Sequence, residues 1–306
     1  MSPLTVIECP YSYAAWTVAR EGDGLCYTSR EQRFEHREMT EDYRACGVYG
    51  AAGVPFEVHR LGERGAKDPL HVSIPREVSD LVCTTVASGG NVLLASGYCV
   101  YVPAMLGGLQ RALGEDVRIG MVWIDAHADS VVIERSAEAT TTLVGVPVST
   151  ALGLTCPDWR VEACGLMRPL HAGDVVMSDL RSSDEETLAT VQNAGCVMID
   201  EAGFEDGTVW KHAVRELANR VDVIHVAIDA DILRPEFVPA YYRVETGGHT
   251  PWKVLENLSC VFETGKVRTL STLCFDFDKG GVEGDATCLN GMRIIAGALS
   301  QWGGQA

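Results

Sequence analysis

No uninterrupted apolar run reaches the roughly 18 residues that a membrane-spanning helix needs, so the chain is not expected to cross a bilayer. Basic residues are scarce: 25 Lys and Arg stand against 42 Asp and Glu, leaving a formal net charge of −17. A surface that negative repels phosphate backbones and anionic lipid, which excludes nucleic-acid and membrane-surface binding as expected roles. The opening MSPLTVIECPYSYAAW has neither a basic start nor an apolar core of signal-peptide type, so a cytoplasmic location is expected. Cysteine is not scarce, at eleven residues, but no two are spaced Cys-x-x-Cys, which excludes a zinc ribbon or a thioredoxin-like motif. The count is odd and the positions run scattered from Cys9 to Cys288, as expected of reduced thiols used mostly as small buried hydrophobes. Internal repeats, low-complexity segments and Pro/Gly/Ser-rich linkers are also missing, which favours a single domain over residues 1–306.

What is present is alternation. Beyond about residue 90, short apolar runs with little polar interruption occur at 91–96, 119–124, 175–178, 196–199, 221–228 and 267–275. Such runs read as strands buried on both faces, hence a mostly parallel sheet. Between them, 104–113, 184–194, 210–219 and 251–263 carry apolar residues at helical spacing. In the last, Val254, Leu255, Leu258, Val261 and Phe262 share one face, and Pro251 suits a first helical turn. Alternating strands and helices predict an α/β fold of three layers, helices flanking the sheet. Residues 60–74 are polar and read as a surface loop; the first 90 residues show little periodicity.

In open parallel sheets, ligands bind beyond the carboxyl ends of the strands. The run IGMVWI leads directly into Asp125-Ala-His127-Ala-Asp129, and VIHVAI leads directly into Asp229-Ala-Asp231. Left alone, carboxylates so placed would cost several kcal/mol in desolvation and mutual repulsion. A divalent cation removes that cost. Hard carboxylate oxygens with one imidazole suit Mn²⁺ better than a soft metal. The competing reading is a set of solvated acids in turns that follow strands.

DAHAD followed about a hundred residues later by DADILRP resembles the arginase/agmatinase superfamily of ureohydrolases, with the likeness spanning about residues 90–300. The resemblance implies an arginase-like fold, a homo-oligomer, and two manganese ions per chain acting on a small guanidino substrate. It implies that Asp125 and Asp229 bridge the ions, that Asp129 completes one shell, and that His127 and Asp231 serve the other. Two such ions can aim a bridging hydroxide at a guanidinium carbon.

The departures carry information too. The family's Gly-Gly-Asp-His-Ser turn is replaced by Ser96-Gly97-Tyr98-Cys99-Val100, so Cys99 stands at a ligand histidine's position. Cys99 is therefore a candidate thiolate ligand; the alternative is a packed core cysteine. This cysteine, with HVAIDADILRPEFVPAYY, resembles a divergent branch, the N-hydroxyarginine hydrolases of D-cycloserine biosynthesis. The loop that grips the substrate carboxylate in arginases reads SVVIERSAEATTTLVGVPVS here, with Val144 where a proton-shuttling histidine would stand. Thr140, Thr141, Thr142 and Arg135 remain able to meet an anion, or are simply solvated. Arg181-Ser-Ser-Asp184 resembles the segment whose aspartate contacts the substrate amino group, although Asp184 also suits a helix cap. Asp276 aligns with a guanidinium-binding glutamate and is one methylene shorter. Asp129 and Asp276 are the catalytic candidates, with Asp184, Thr141, Thr142 and Asp276 for substrate.

The expectation is a metal-dependent amidinohydrolase releasing hydroxyurea and ornithine from N-hydroxyarginine. Hydrolysis of another guanidine, an amidine or a peptidyl arginine stands as the alternative, as does a degenerate family member serving as a scaffold.

Overall fold

The computed structural model describes residues 3–9, 16–29, 39–62, 67–114, 116–241, 243, 245–275 and 280–303. In chain order the first elements are β1 (Leu4–Glu8), β2 (Trp16–Glu21), β3 (Gly24–Ser29), α1 (Met39–Ala45), β4 (Phe56–Arg60) and α2 (Leu70–Ala87). There follow β5 (Asn91–Ser96), α3 (Val102–Leu113), β6 (Ile119–Asp125), β7 (Thr140–Thr142) and α4 (Pro147–Ala151). The C-terminal half comprises β8 (Val175–Asp179), α5 (Glu185–Ala194), β9 (Val197–Ile199), α6 (Glu201–Asp206) and α7 (Thr208–Arg220). It ends with β10 (Val223–Asp229), α8 (Pro251–Phe262), β11 (Val267–Leu273) and α9 (Gly281–Gly303).

Eight strands form one sheet in the order β4-β1-β5-β11-β10-β6-β8-β9, and every neighbouring pair is parallel. Every residue of β1, β6, β8 and β10 is buried. Side chains alternate between faces along a strand, so helices must cover both faces, as the unalternating apolar runs required. Two groups of helices do so: α2 packs on α3, while α6, α7, α8 and α9 pack in succession. A second, antiparallel sheet of order β3-β2-β7 stands beside the first, pairing residues 17–19 with 140–142.

The periodic second half of the sequence matches the structure to within a few residues. The stretch 60–74 does not: its described part continues β4 through Arg60 and begins α2 at Leu70. Pro75 obscures that helix, because a proline inside it donates no hydrogen bond to the carbonyl four residues back. That carbonyl, of His71, instead accepts from the Trp159 indole at 2.6 Å, so the proline's position is matched by a tertiary contact. On α3, a Cβ added at Gly107 would lie 2.0 Å from the Cys164 carbonyl, and one at Gly108 would lie 2.5 Å from Val82 Cβ of α2. The two glycines set how closely α3 approaches its neighbours.

Candidate metal centre

Parallel pairing brings every strand of the large sheet to its carboxyl end on one edge, and the central four exits converge there. Ile124 pairs with Ile228, so Asp125 and Asp229 follow side by side on adjacent strands. Each then closes the same small turn. Asp125 Oδ1 accepts the His127 N–H at 2.7 Å, and Asp229 Oδ1 accepts the Asp231 N–H at 3.1 Å. Aspartate commonly caps a turn on the amide two residues ahead, so each D-A-x triplet is locally self-structuring. The turns are also stitched together, since Asp231 Oδ1 accepts the Ala126 N–H at 3.0 Å and His127 Nδ1 lies 2.8 Å from Asp231 Oδ2. Arg181, in the segment after β8, braces the second turn by donating to the Asp231 carbonyl at 2.5 Å.

The other two central strands deliver sulfur. Cys99 follows β5 and Cys274 follows β11, with the Cys274 N–H bonded to the Gly97 carbonyl at 2.9 Å. Cys99 Sγ donates to Asp229 Oδ2 at 3.2 Å and lies 4.0 Å from Cys274 Sγ. Cys274 was not singled out in the sequence, because its place beside Cys99 depends on strand order. Of five described non-glycine residues with positive φ, two belong to this site, Asp129 at 42° and Cys274 at 58°. Such backbone costs about 1–3 kcal/mol each and persists where the surroundings over-determine it.

The electrostatics are those of a site crowded with buried acids. Burial first, then the charges of Asp231 and Asp229, push the Asp125 carboxyl well above the usual carboxylate range. Burial and Asp231 do the same to Asp229. Asp129 is raised by burial to about 7. Burial also opposes ionisation of Asp231, but hydrogen bonds from His127, the Ala126 amide and the Tyr241 hydroxyl outweigh it and hold it low. Burial favours neutral His127, yet its hydrogen bonds to Asp125 and Asp231 push it up to about 12. Asp125 Oδ2 is buried with no hydrogen-bond partner. An orphaned carboxylate oxygen facing three further acids fits a divalent cation and little else. Three sets of side chains have ligand atoms mutually within 4.8 Å: Cys99–Asp125–Asp129, Asp125–His127–Asp231 and Cys99–Asp229–Cys274.

A cleft of about 360 Å³ opens above these residues. Val131, Val144 and Gly145 wall one side, and Ser182, Ser183 and Asp184 wall another. Val144 thus borders the cleft, whereas Thr141 and Thr142 do not: they pair with β2 in the small sheet. Asp184 caps α5, accepting the Thr187 N–H at 2.8 Å, and also faces the cleft, so its two readings are compatible. Asp276 lies outside the described residues. Three cleft residues carried no sequence signal. Tyr241 donates to Asp231 Oδ2 at 2.8 Å, Ser183 Oγ accepts the Ala128 N–H at 2.8 Å, and Arg243 pairs with Glu245 at 2.6 Å beside His127. All eleven cysteines lie among the described residues, and seven of them are buried. No described helix is long and apolar enough to cross a membrane.

The model of the arginase family matches residues 23–272. An arginase of Neurospora crassa is 28% identical over 215 residues, covering 67% of this chain and 58% of the relative. The structure of Bacillus caldovelox arginase superposes with a TM-score of 0.76 at 18% identity, covering 98% of each chain. Entamoeba histolytica arginase, solved in complex with L-ornithine, gives 0.77 at 17% identity, covering 97% of this chain and 99% of that one. At such identities the structures establish the shared fold.

Proposed function

Because the chain belongs to the arginase family, we propose that it is a dinuclear-metal hydrolase of a guanidino C–N bond, with N-hydroxyarginine its preferred substrate. One observation supports this above others. Asp125 and Asp229 stand side by side on adjacent strand exits, and Asp125 belongs to two ligand sets at once.

Asp125 and Asp229 are read as the shared ligands, with Cys99 and Asp129 completing one position and His127 and Asp231 the other. The acid-rich set with one imidazole suits Mn²⁺ in the second position. Bound there, a pair of divalent cations would supply an activated water and neutralise the charge that builds on the guanidine. The chain's own groups do the rest. Asp129 is placed at the cleft to hold a proton of the attacking water. Tyr241 and the Ala126 amide fix the orientation of Asp231. Asp184, exposed at the mouth, is placed to meet a substrate ammonium group. Val144 offers no proton to a departing amine. An N-hydroxyguanidine is less basic than a guanidine and relies less on such a donor. Hydrolysis adds one water and yields ornithine and hydroxyurea.

The test is turnover by the manganese-loaded chain of N-hydroxyarginine and of arginine, read as ornithine release. Arginine should be at least about tenfold poorer in kcat/KM, a barrier difference of about 1.4 kcal/mol. Val144→His should narrow that gap. Equal values for the two substrates would remove the hydroxyarginine assignment. No turnover of either, with metal bound, would remove the hydrolase reading itself.

A further inference from the structure

The exits of β5 and β11 place two sulfurs beside the Asp229 carboxylate at the end of β10, while Asp125, His127 and Asp231, at the exits of β6 and β10, place oxygens and an imidazole on the other side of the centre. We propose that Cys99, Cys274 and Asp229 form a thiolate subsite that selects a borderline-soft divalent cation, zinc before manganese, beside a hard subsite of Asp125, His127 and Asp231. The two halves of the centre would then carry different metals.

Distances support the assignment. Two thiolates on a tetrahedral ion, each at about 2.3 Å, are separated by about 3.8 Å. Cys99 Sγ and Cys274 Sγ lie 4.0 Å apart. A thiolate and a carboxylate oxygen on the same ion, the latter at about 2.0 Å, are separated by about 3.5 Å. Cys99 Sγ lies 3.2 Å from Asp229 Oδ2. The sulfurs are therefore spaced for an ion between them, and about twice as far apart as the roughly 2.05 Å of a disulfide.

Softness then decides the occupant. Thiolates favour zinc, whereas carboxylate, carbonyl and water suit manganese. The opposite trio has a single nitrogen and no sulfur, so the preference should differ between two positions whose ligand trios have no residue in common. Cys274 sits at φ 58°, a conformation aspartate and asparagine tolerate better than most residues. That makes Cys274→Asp a substitution that changes ligand hardness without new backbone strain. When the subsite fills, each thiol loses its proton to solvent and each sulfur contributes an electron pair to the ion; no redox change is involved.

This inference rests on reading the cluster as a metal centre, and its test does not use catalysis. The chain is stripped by chelation under a reducing phosphine and equilibrated with equimolar Mn²⁺ and Zn²⁺. Metal content is then measured by mass spectrometry. About one zinc per chain is expected, with manganese confined to the remaining position. The Co²⁺-loaded chain should show a sulfur-to-cobalt charge-transfer band in the near ultraviolet. Cys274→Asp should lower zinc-over-manganese selectivity at least tenfold and weaken the band to the contribution of Cys99 alone; Cys274→Ser serves as the second variant. A metal ratio unchanged in Cys274→Asp, or a cobalt chain without the band, overturns the proposal. Manganese-dependent turnover of guanidino substrates, assayed separately, tells that outcome apart from failure of the hydrolase reading.

Discussion

At the scale of single residues, the centre is held together against its own chemistry. Asp125 uses Oδ1 to close its turn and leaves Oδ2 buried without a partner. A buried unpaired polar group costs about 1–3 kcal/mol, and more when charged. Asp125→Asn keeps the turn-closing oxygen and removes the charge. In chelator at mildly alkaline pH, this variant should therefore be more stable than the parent by about 1–3 kcal/mol. It should also lose the stabilisation that the parent gains from divalent cation. Paired melts with and without Mn²⁺ measure both effects, and a variant less stable in chelator would show that Oδ2 has a structural partner. The ligand acids were legible because DAHAD and DAD each directly follow an apolar run. Cys274, Tyr241 and Ser183 were not, since each acquires its role only through a contact made in the folded chain: with Cys99, Asp231 and the Ala128 amide.

At the scale of elements, helix α3 shows packing overriding propensity. Alanine in place of a helical glycine normally gains about 1 kcal/mol. At Gly107 the new Cβ would meet the Cys164 carbonyl at 2.0 Å, an obstacle of backbone that cannot rotate away. Gly107→Ala should thus destabilise the chain, at the upper end of the roughly 1–3 kcal/mol typical of overpacking, as read by urea unfolding. A neutral or stabilising result would mean that α3 is free to shift. Strand β10 carries a second test. His225 is fully buried, with Nδ1 2.8 Å from Thr269 Oγ and Nε2 unpartnered, and burial lowers its pKa from 6.5 to about 3. Between those values the unfolded chain binds the extra proton, so His225 withdraws stability as pH falls from 6.5 toward 3. The loss is about 1.4 kcal/mol per pH unit, or about 2 kcal/mol at about pH 5. His225→Gln should remove that much of the difference between unfolding free energies at about pH 7 and pH 5. An unchanged difference would assign the acid sensitivity to other groups. The buried strands and their helices were readable from 91 to 275 because a covered parallel sheet writes unbroken apolar runs. The N-terminal part was not, because α2 contains Pro75 and β2 and β3 lie at the partly exposed small sheet.

At the scale of the whole molecule, what sequence could not supply was strand order. Adjacent patterns say that β5, β6, β10 and β11 exist; only crossovers make them the central four, with β11 and β10 inserted between β5 and β6. That order is what concentrates acids and thiols at one edge of a chain already bearing −17. Two sources of repulsion therefore oppose the compact state, one spread over the surface and one buried at the centre, and they respond differently to salt. Surface charges are screened when the Debye length falls to about 3 Å at molar ionic strength, whereas buried ones are screened far less. Divalent cation at a hundredfold excess over its dissociation constant should add about 2.7 kcal/mol to stability by mass action. At about 2 °C per kcal/mol for a chain of this size, the melting temperature should rise by about 5 °C. If the ion acts at the centre, that rise persists in molar sodium chloride and disappears in Asp229→Asn. If instead high salt alone reproduces it, and added Mn²⁺ then gives nothing further, the cation is only neutralising surface charge and the buried acids are not a metal centre.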